Sequence, residues 1–338
     1  MENEKAPLIS IVIPLYNKED YIRSCIESLA AQTFSDIEVI IVDDGSTDGS
    51  TAIVRRTCRT NPKFIYLRQE NAGVSAALNT GIAQARGTYI VRMDADDWAE
   101  PTMLELLYKT ARTYDVPLVR CGIIREFANG KTRAIPCTKT LMETTGLWCF
   151  NRLFGKIDRA FMTACATLYH RRLLDDTTIT FSTELTNLED MLFNARIFSL
   201  DTSIVLLPED LYHYRQTGDS LSEKTFIELP EQLGIFETLM QRYVLSRQPD
   251  LADVYSKYRG TAFLTTAASM STFGVDGMKA LKESAMFDAL VATKDGAHYP
   301  PPLLRLMQLL GTEKYQRANL LTKQLFIGRA AHRVIRAF

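Results

Sequence analysis

Short apolar runs alternate with amphipathic stretches over residues 1–125, a pattern that predicts successive βαβ units. Strands are expected at 9–14, 38–43, 63–67, 88–93 and 118–124, and helical periodicity falls at 20–32, 47–59, 74–85 and 101–114. The strand segments are apolar almost throughout, as they are when helices cover both faces of a mainly parallel sheet. Pro101 suits a first helical position, where its missing N–H costs least. From Asn129 to Tyr214 the pattern becomes irregular, with short strands, turns and one clear helix at 188–198. Asn129-Gly130 within it predicts a hairpin closed by a type I′ turn. Beyond Ser222 helical periodicity takes over, at 225–246, 251–273, 276–292, 302–310 and 313–337. The pattern therefore predicts an α/β domain over 1–221 and an all-helical region over 222–338.

Composition narrows the class of partner. A net charge of −1 offers no global field for nucleic acid, and the 46% hydrophobic and 23% charged fractions are those of an ordinary globular chain. The 6 cysteines form no C-x-x-C pair and the 4 histidines are scattered, so no zinc spacing is present. Residues 1–7 are polar and lack the apolar core of a signal peptide, so the thiols are expected to be reduced and the chain cytoplasmic. No apolar run reaches the roughly 18 residues of a transmembrane helix, which leaves peripheral membrane contact as the only kind expected.

Ligands of open α/β sheets bind at the carboxyl ends of the strands, so the polar residues that follow each apolar run are the ones to inspect. The first strand leads into Pro14-Leu15-Tyr16-Asn17, the second into Asp43-Asp44-Gly45-Ser46-Thr47-Asp48, and the fourth into Asp94-Ala95-Asp96-Asp97. Carboxylates at i and i+2 past a strand point the same way and can hold a hard divalent cation, whose remaining ligands come from phosphate and water. The same residues also suit Asx-turns and N-caps for the helices that follow. Acidic residues converging on one sheet edge in this number are costly without a cation or donors among them, which favours a site. Other nucleotide motifs fail: no G-x-G-x-x-G follows the first strand, and Gly130-Lys131-Thr132 has Arg125 where a phosphate-binding loop needs glycine.

Taken together, Ile11 to Asn17, Asp43 to Asp48, Asn71-Ala72-Gly73 with Asn79-Thr80-Gly81, and Met93 to Asp97 resemble the family 2 glycosyltransferases of the GT-A fold. Asn187-Leu188-Glu189-Asp190 resembles the family's acidic pair on the acceptor side. Tyr212-His213-Tyr214-Arg215 resembles the segment that closes its catalytic domain, and the likeness spans residues 8–222. It implies a Rossmann-like, mainly parallel sheet and an inverting transfer of sugar from a nucleoside diphosphate, UDP above all, to an acceptor hydroxyl. It further implies that Pro14, Tyr16, Asn17, Asp43, Asp44, Asn71, Gly73 and Asp94 bind the nucleotide, with Tyr16 and Asp44 at the base and Asp94 near the ribose. Asp96 is implied as the ligand of Mn2+ or Mg2+, and Asp190 as the catalytic base. One departure stands out: the family often has arginine before the asparagine of its N-x-G segment, and here that residue is Leu78.

Other residues carry two readings each. Glu189 and Asp190 also suit a helix first turn. His213 and Arg215 are candidates near the diphosphate or metal, though a histidine between tyrosines also suits packing. Trp98 and Trp148 suit either a sugar-facing surface or the core. The expected acceptor is a glycan or lipid-linked glycan of a bacterial surface polysaccharide. Residues 314–338 hold six basic residues and no acidic one, with Ile327, Ala331, Val334, Ile335 and Phe338 on one helical face. Such a helix suits the anionic inner face of a membrane, or packing against another element or a second copy of the chain. A phosphatase or phosphotransferase using Asp94 as nucleophile leaves Asp43 and Asp44 without a task, and a non-catalytic sugar-nucleotide-binding partner leaves Asp190 without one.

Overall fold

A computed structural model describes residues 6–217, 229–270, 274–284, 287–288, 291 and 301–327. The chain divides into two compact units, one of residues 1–149 with 160–220 and the other of 150–159 with 221–338.

In the first unit the elements follow as β1 (Ile9–Leu15), α1 (Ile22–Ala30), β2 (Ile37–Asp43), α2 (Ser50–Thr60), β3 (Phe64–Arg68), α3 (Val74–Gln84), β4 (Tyr89–Arg92), β5 (Trp98–Ala99), α4 (Met103–Tyr114) and β6 (Leu118–Glu126). The irregular half adds β7 (Thr132–Ile135), β8 (Met142–Thr145), the short α5 (Gly146–Phe150), β9 (Thr167–His170), the short α6 (Arg171–Asp175), α7 (Glu189–Phe198) and β10 (Ser203–Arg215). One sheet runs in the order β3-β2-β1-β4-β9-β6-β10-β5, with β7 beside β6 and β8 beside β10. The β3-β2-β1-β4 half is parallel throughout, as the alternation predicts. The other half is mixed, because β9 runs antiparallel to both β4 and β6.

The core follows the two periodicities. Strand β2 is buried at every position, and β1 at all but Pro14. Helix α1 turns Ile22, Cys25, Ile26 and Leu29 inward, and α4 turns Met103, Leu104, Leu107 and Ala111 inward, each a stripe at helical spacing. All 6 cysteines are free, and all but Cys58 are buried.

The hairpin between β6 and β7 forms where expected, but its turn is not type I′. Gly130 has a φ of +76°, whereas Asn129 is not in the left-handed region that type I′ also requires. Gly130 N donates to Phe127 O and Phe127 N to Lys131 O, the longer turn in which a single left-handed glycine forms a bulge.

The second unit contains helices Leu229–Met240, Ala252–Met270, Gly274–Lys282, Pro301–Gly311 and Tyr315–Ile327. Phe154, Phe236, Tyr255 and Tyr258 make an aromatic cluster there, beside a buried Glu237–Arg259 ion pair that Tyr255 Oη joins at 2.7 Å. No helix among the described residues is long and apolar enough to cross a membrane. The basic stretch expected to lie on a membrane falls largely outside the described residues, which end at Ile327.

Candidate functional site

Strands β1 and β4 are sheet neighbours although β2 and β3 lie between them in the chain, so the direction of strand addition reverses there. The crevice beyond the carboxyl ends at such a reversal is where open α/β sheets bind ligands. Residues 14–18 and 94–97 come out on it. Tyr16 is 47% exposed, a large ring held open to solvent. Asn17 adopts a left-handed φ of 50° and laces this loop to the next: its N–H donates to Ser46 Oγ (3.1 Å) and its Oδ1 accepts from Thr47 N (2.8 Å).

The two aspartates that end β2 are both buried and hold different things. Asp43 accepts from Ser46 N, Thr51 Oγ1, Tyr66 Oη and Arg68 Nη1 at 2.7–3.0 Å. Burial works to raise its pKa, but the bonds from Thr51, Tyr66 and Ser46 together outweigh it and hold the carboxylate below its ordinary range. Asp44 accepts from Gln69 Nε2 (2.8 Å) and Ala72 N (2.9 Å) on Oδ1, and from Gly73 N (2.8 Å) on Oδ2. It thus fixes the segment from Gln69 to Gly73, where Gly73 at a φ of +90° starts α3. Asn71 lies against Gly45, whose φ of +82° and 3.2 Å clearance to Asn71 N leave no room for a side chain.

The acidic loop after β4 differs from expectation in one respect. Alternation of side chains ends with the strand at Arg92, and the chain then turns, with Asp97 N donating to Asp94 O (3.2 Å). The carboxylates of Asp94 and Asp96 therefore find separate partners. Asp94 accepts from Arg92 Nη2 (2.9 Å), while Asp96 pairs with Lys18 Nζ (2.6 Å) across the crevice. Asp97 is fully buried and bonded on both oxygens, to Tyr212 Oη (2.5 Å) and Arg215 N (2.9 Å). Burial, and then the charges of Asp94 and Asp96, push its carboxyl well above the ordinary range. Asp94, Asp97 and Cys165 offer ligand atoms within 4.8 Å of one another. Burial raises both the Asp97 carboxyl and the Cys165 thiol. Asp96, which faces a cation in Lys18, is a further carboxylate that could hold a metal.

Asp190 stands in the first turn of α7, after Leu188 takes a left-handed φ of 69°. Its Oδ2 accepts from Arg92 Nη1 (2.9 Å), Thr163 Oγ1 (3.0 Å) and Ala164 N (3.0 Å). Its Oδ1 is buried and has no hydrogen-bond partner among the described residues. Arg92, buried, thus bridges the loop after β4 and the carboxylate on α7. Behind Thr163, Arg120 Nη2 donates to Thr163 O (3.0 Å) and to Ala160 O, and Asn194 Nδ2 donates to Phe161 O (2.9 Å) and Thr163 O (2.8 Å). These bonds set the loop that holds Asp190.

Glu189, beside it, is pushed up to about 8 by desolvation, with the charge of Asp190 adding to the effect. A carboxyl whose folded pKa lies above its ordinary 4.5 binds more protons folded than unfolded, so between those values it costs stability as pH rises. Glu189→Gln should therefore unfold at higher urea than the wild type at pH 9 and at nearly the same urea at pH 4; equal midpoints at pH 9 would show the carboxyl to be unshifted.

His213 and Trp98 form a separate cluster with Glu126 on β5, β6 and β10. His213 lies between Glu126 Oε1 (3.0 Å, from Nδ1) and Glu100 Oε1 (2.9 Å, from Nε2), so both ring nitrogens are engaged by carboxylates. Its ring stacks on Trp98 at 3.4 Å, which covers one face of the indole, and Trp98 Nε1 donates to Glu126 (3.1 Å). Trp148 meets Phe161 edge to face at 6.0 Å. Arg215 donates to Asp96 O (3.0 Å) and Ser24 Oγ (3.2 Å) and so belongs to the crevice. Pattern reading overlooks Lys18, Arg92, Thr163 and Tyr212. The detectable signal for Arg92 is a lone charge in the otherwise apolar run Tyr89-Ile90-Val91.

The mixed α/β sheet thus carries, at its reversal, an acidic loop that an arginine joins to a carboxylate on a helix. The chain belongs to glycosyl transferase family 2, whose sequence profile matches residues 10–178, and it is a glycosyltransferase. Over 238 residues it is 33% identical to the uncharacterized glycosyltransferase EpsJ of Bacillus subtilis, covering 70% of this chain and 68% of EpsJ. It is 43% identical over 103 residues to the chondroitin synthase of Escherichia coli, covering 30% of this chain and 15% of that one. Its fold is that of residues 1–349 of S. aureus TarS in complex with UDP, with a TM-score of 0.72 and 21% identity over 95% of this chain and 92% of that TarS fragment.

Proposed function

We propose that the protein transfers a sugar from UDP-sugar to an acceptor hydroxyl with inversion, in the assembly of a bacterial surface polysaccharide. The observation that carries this reading is Asp190. Three donors hold one of its oxygens, and the other is buried with no hydrogen-bond partner among the described residues, as suits a base awaiting a proton. An acceptor hydroxyl is far too weak an acid to ionise near pH 7, so it needs such a group as its bond to the sugar forms. The UDP bound to TarS and the polymer named for the E. coli relative support the donor and the polysaccharide acceptor. In this reading Tyr16 stacks on or borders the base and Asp43 and Asp44 shape its pocket, while Asp94 lies toward the ribose. Asp96 would hold Mn2+ or Mg2+, which when bound supplies Lewis-acid stabilisation of the departing diphosphate. The basic stretch 314–338 is assigned to a lipid-linked acceptor at a membrane surface.

Calorimetry with UDP is the direct test. Binding should be strong with Mn2+, weak in EDTA, and weak in Asp96→Ala whether or not Mn2+ is present. Equal affinity in all three conditions would remove the metal from the reading, and transfer to no glycan or lipid-linked glycan in an acceptor panel would remove the acceptor class.

A further inference from the structure

The family often places a guanidinium at the position where this chain has Leu78, which is fully buried and apolar. A diphosphate in the crevice must therefore find its protein countercharge elsewhere, and the structure shows where a cation already sits. Lys18 Nζ lies 2.6 Å from Asp96 Oδ2, with the two side chains 23% and 14% exposed. The pair spans the ends of β1 and β4, the point of the sheet where anionic ligands are received. Lys18 is aimed there by its own loop: its N–H donates to Ser50 Oγ (2.8 Å), and the left-handed Asn17 before it is tied to Ser46 and Thr47. The neighbouring cation, Arg215, is committed to Asp96 O and Ser24 Oγ through Nη1. Lys18 Nζ has Asp96 as its one carboxylate partner among the described residues.

Resting on the transferase reading above, we propose that Lys18 is an exchangeable countercharge of the donor diphosphate, paired with Asp96 until a divalent cation takes that carboxylate, and then paired with phosphate oxygen. An ammonium and a dication compete for one carboxylate, since each repels the other and both need the same lone pairs. Displaced from Asp96, the ammonium remains on a short loop facing the same crevice, where a diphosphate carries the nearest excess negative charge. Lys18 therefore opposes the metal when the metal comes alone and assists the nucleotide when the two come together.

Those opposite signs are the test. Binding of Mn2+ alone, read by the loss of its free electron-spin signal, should tighten about three- to tenfold in Lys18→Met. Binding of UDP in saturating Mn2+ should weaken by about tenfold in the same variant. Lys18→Arg, which keeps the charge, should stay near wild type in both titrations and guards against a folding defect in the first variant. Parallel changes in the two affinities, or none in either, would overturn the proposal while leaving the transferase reading intact. A wild-type protein whose UDP binding ignores Mn2+ would overturn the metal reading and this proposal with it.

Discussion

Asp190→Asn is expected to bind UDP as the wild type does and to lose sugar transfer by about 10²–10⁴-fold, the contribution of a positioned base. The geometry preserves the hydrogen bonds of this side chain, although the charge facing Arg92 is lost. Every partner of Asp190 Oδ2 is a donor, namely Arg92 Nη1, Thr163 Oγ1 and Ala164 N, so the amide oxygen of asparagine can take its place. The amide nitrogen then faces the position of the unpartnered Oδ1, and a proton acceptor becomes a donor. Such a change acts in the transition state alone and should lower kcat with little effect on the KM for donor. Steady-state kinetics alongside UDP calorimetry separates the two quantities. Turnover at the wild-type rate would place the base on another residue.

The second large effect is on stability. Arg92→Met keeps most of the side-chain volume but leaves Asp94 and Asp190 facing each other's charge with no guanidinium between them. Removing one partner of a buried ion pair costs about 3–5 kcal/mol, because a charge is left in a place poor in water. Asp94 already has its pKa raised by burial, against the lowering pull of Arg92, and losing that pull must raise it further. A carboxyl shifted upward in the folded state costs stability as pH rises past its ordinary range, so the deficit of Arg92→Met should be large at pH 7.5 and shrink at pH 4. Urea unfolding at the two pH values checks this, and adding Asp94→Asn should restore part of the loss at pH 7.5. A deficit that is the same at both would mean that packing, not charge, is what Arg92 supplies.

The parallel half of the sheet was legible because its strands are buried on both faces and its helices carry single apolar stripes, patterns that leave the chain little choice. Strand ends were legible for the same reason: the polar residue that follows an apolar run must lie on the sheet edge. What escaped notice depends on partners far apart in the chain. Arg92 meets a carboxylate 98 residues away, and Tyr212 meets Asp97 across 115. Nothing local in Tyr212-His213-Tyr214-Arg215 tells that the first ring is fully buried against Asp97 while the histidine is shared by two glutamates. Thr163 and Ala164 are silent for a different reason, since a small hydroxyl and a main-chain N–H do their work without a recognisable side chain. The hairpin at Asn129-Gly130 shows a turn rule stopping one residue short: the dipeptide marks the reversal, while the number of residues between β6 and β7 decides its geometry.

The reversed strand β9 decides which residues arrive beside the loop after β4. Its register sets Tyr89 opposite His170 and Val91 opposite Leu168, so the residues that precede β9 arrive beside those that follow β4. Cys165, Thr163 and Ala164 therefore meet Arg92, Asp94 and Asp190 from the entering side of a strand, whereas the loops after β1, β2 and β4 leave one. A parallel strand in the same slot would deliver its approach to the far rim of the sheet, about 13 Å away for four residues. One change of strand direction thus lets the loop after β4 and the loop that holds Asp190 share a border while remaining separate stretches of chain.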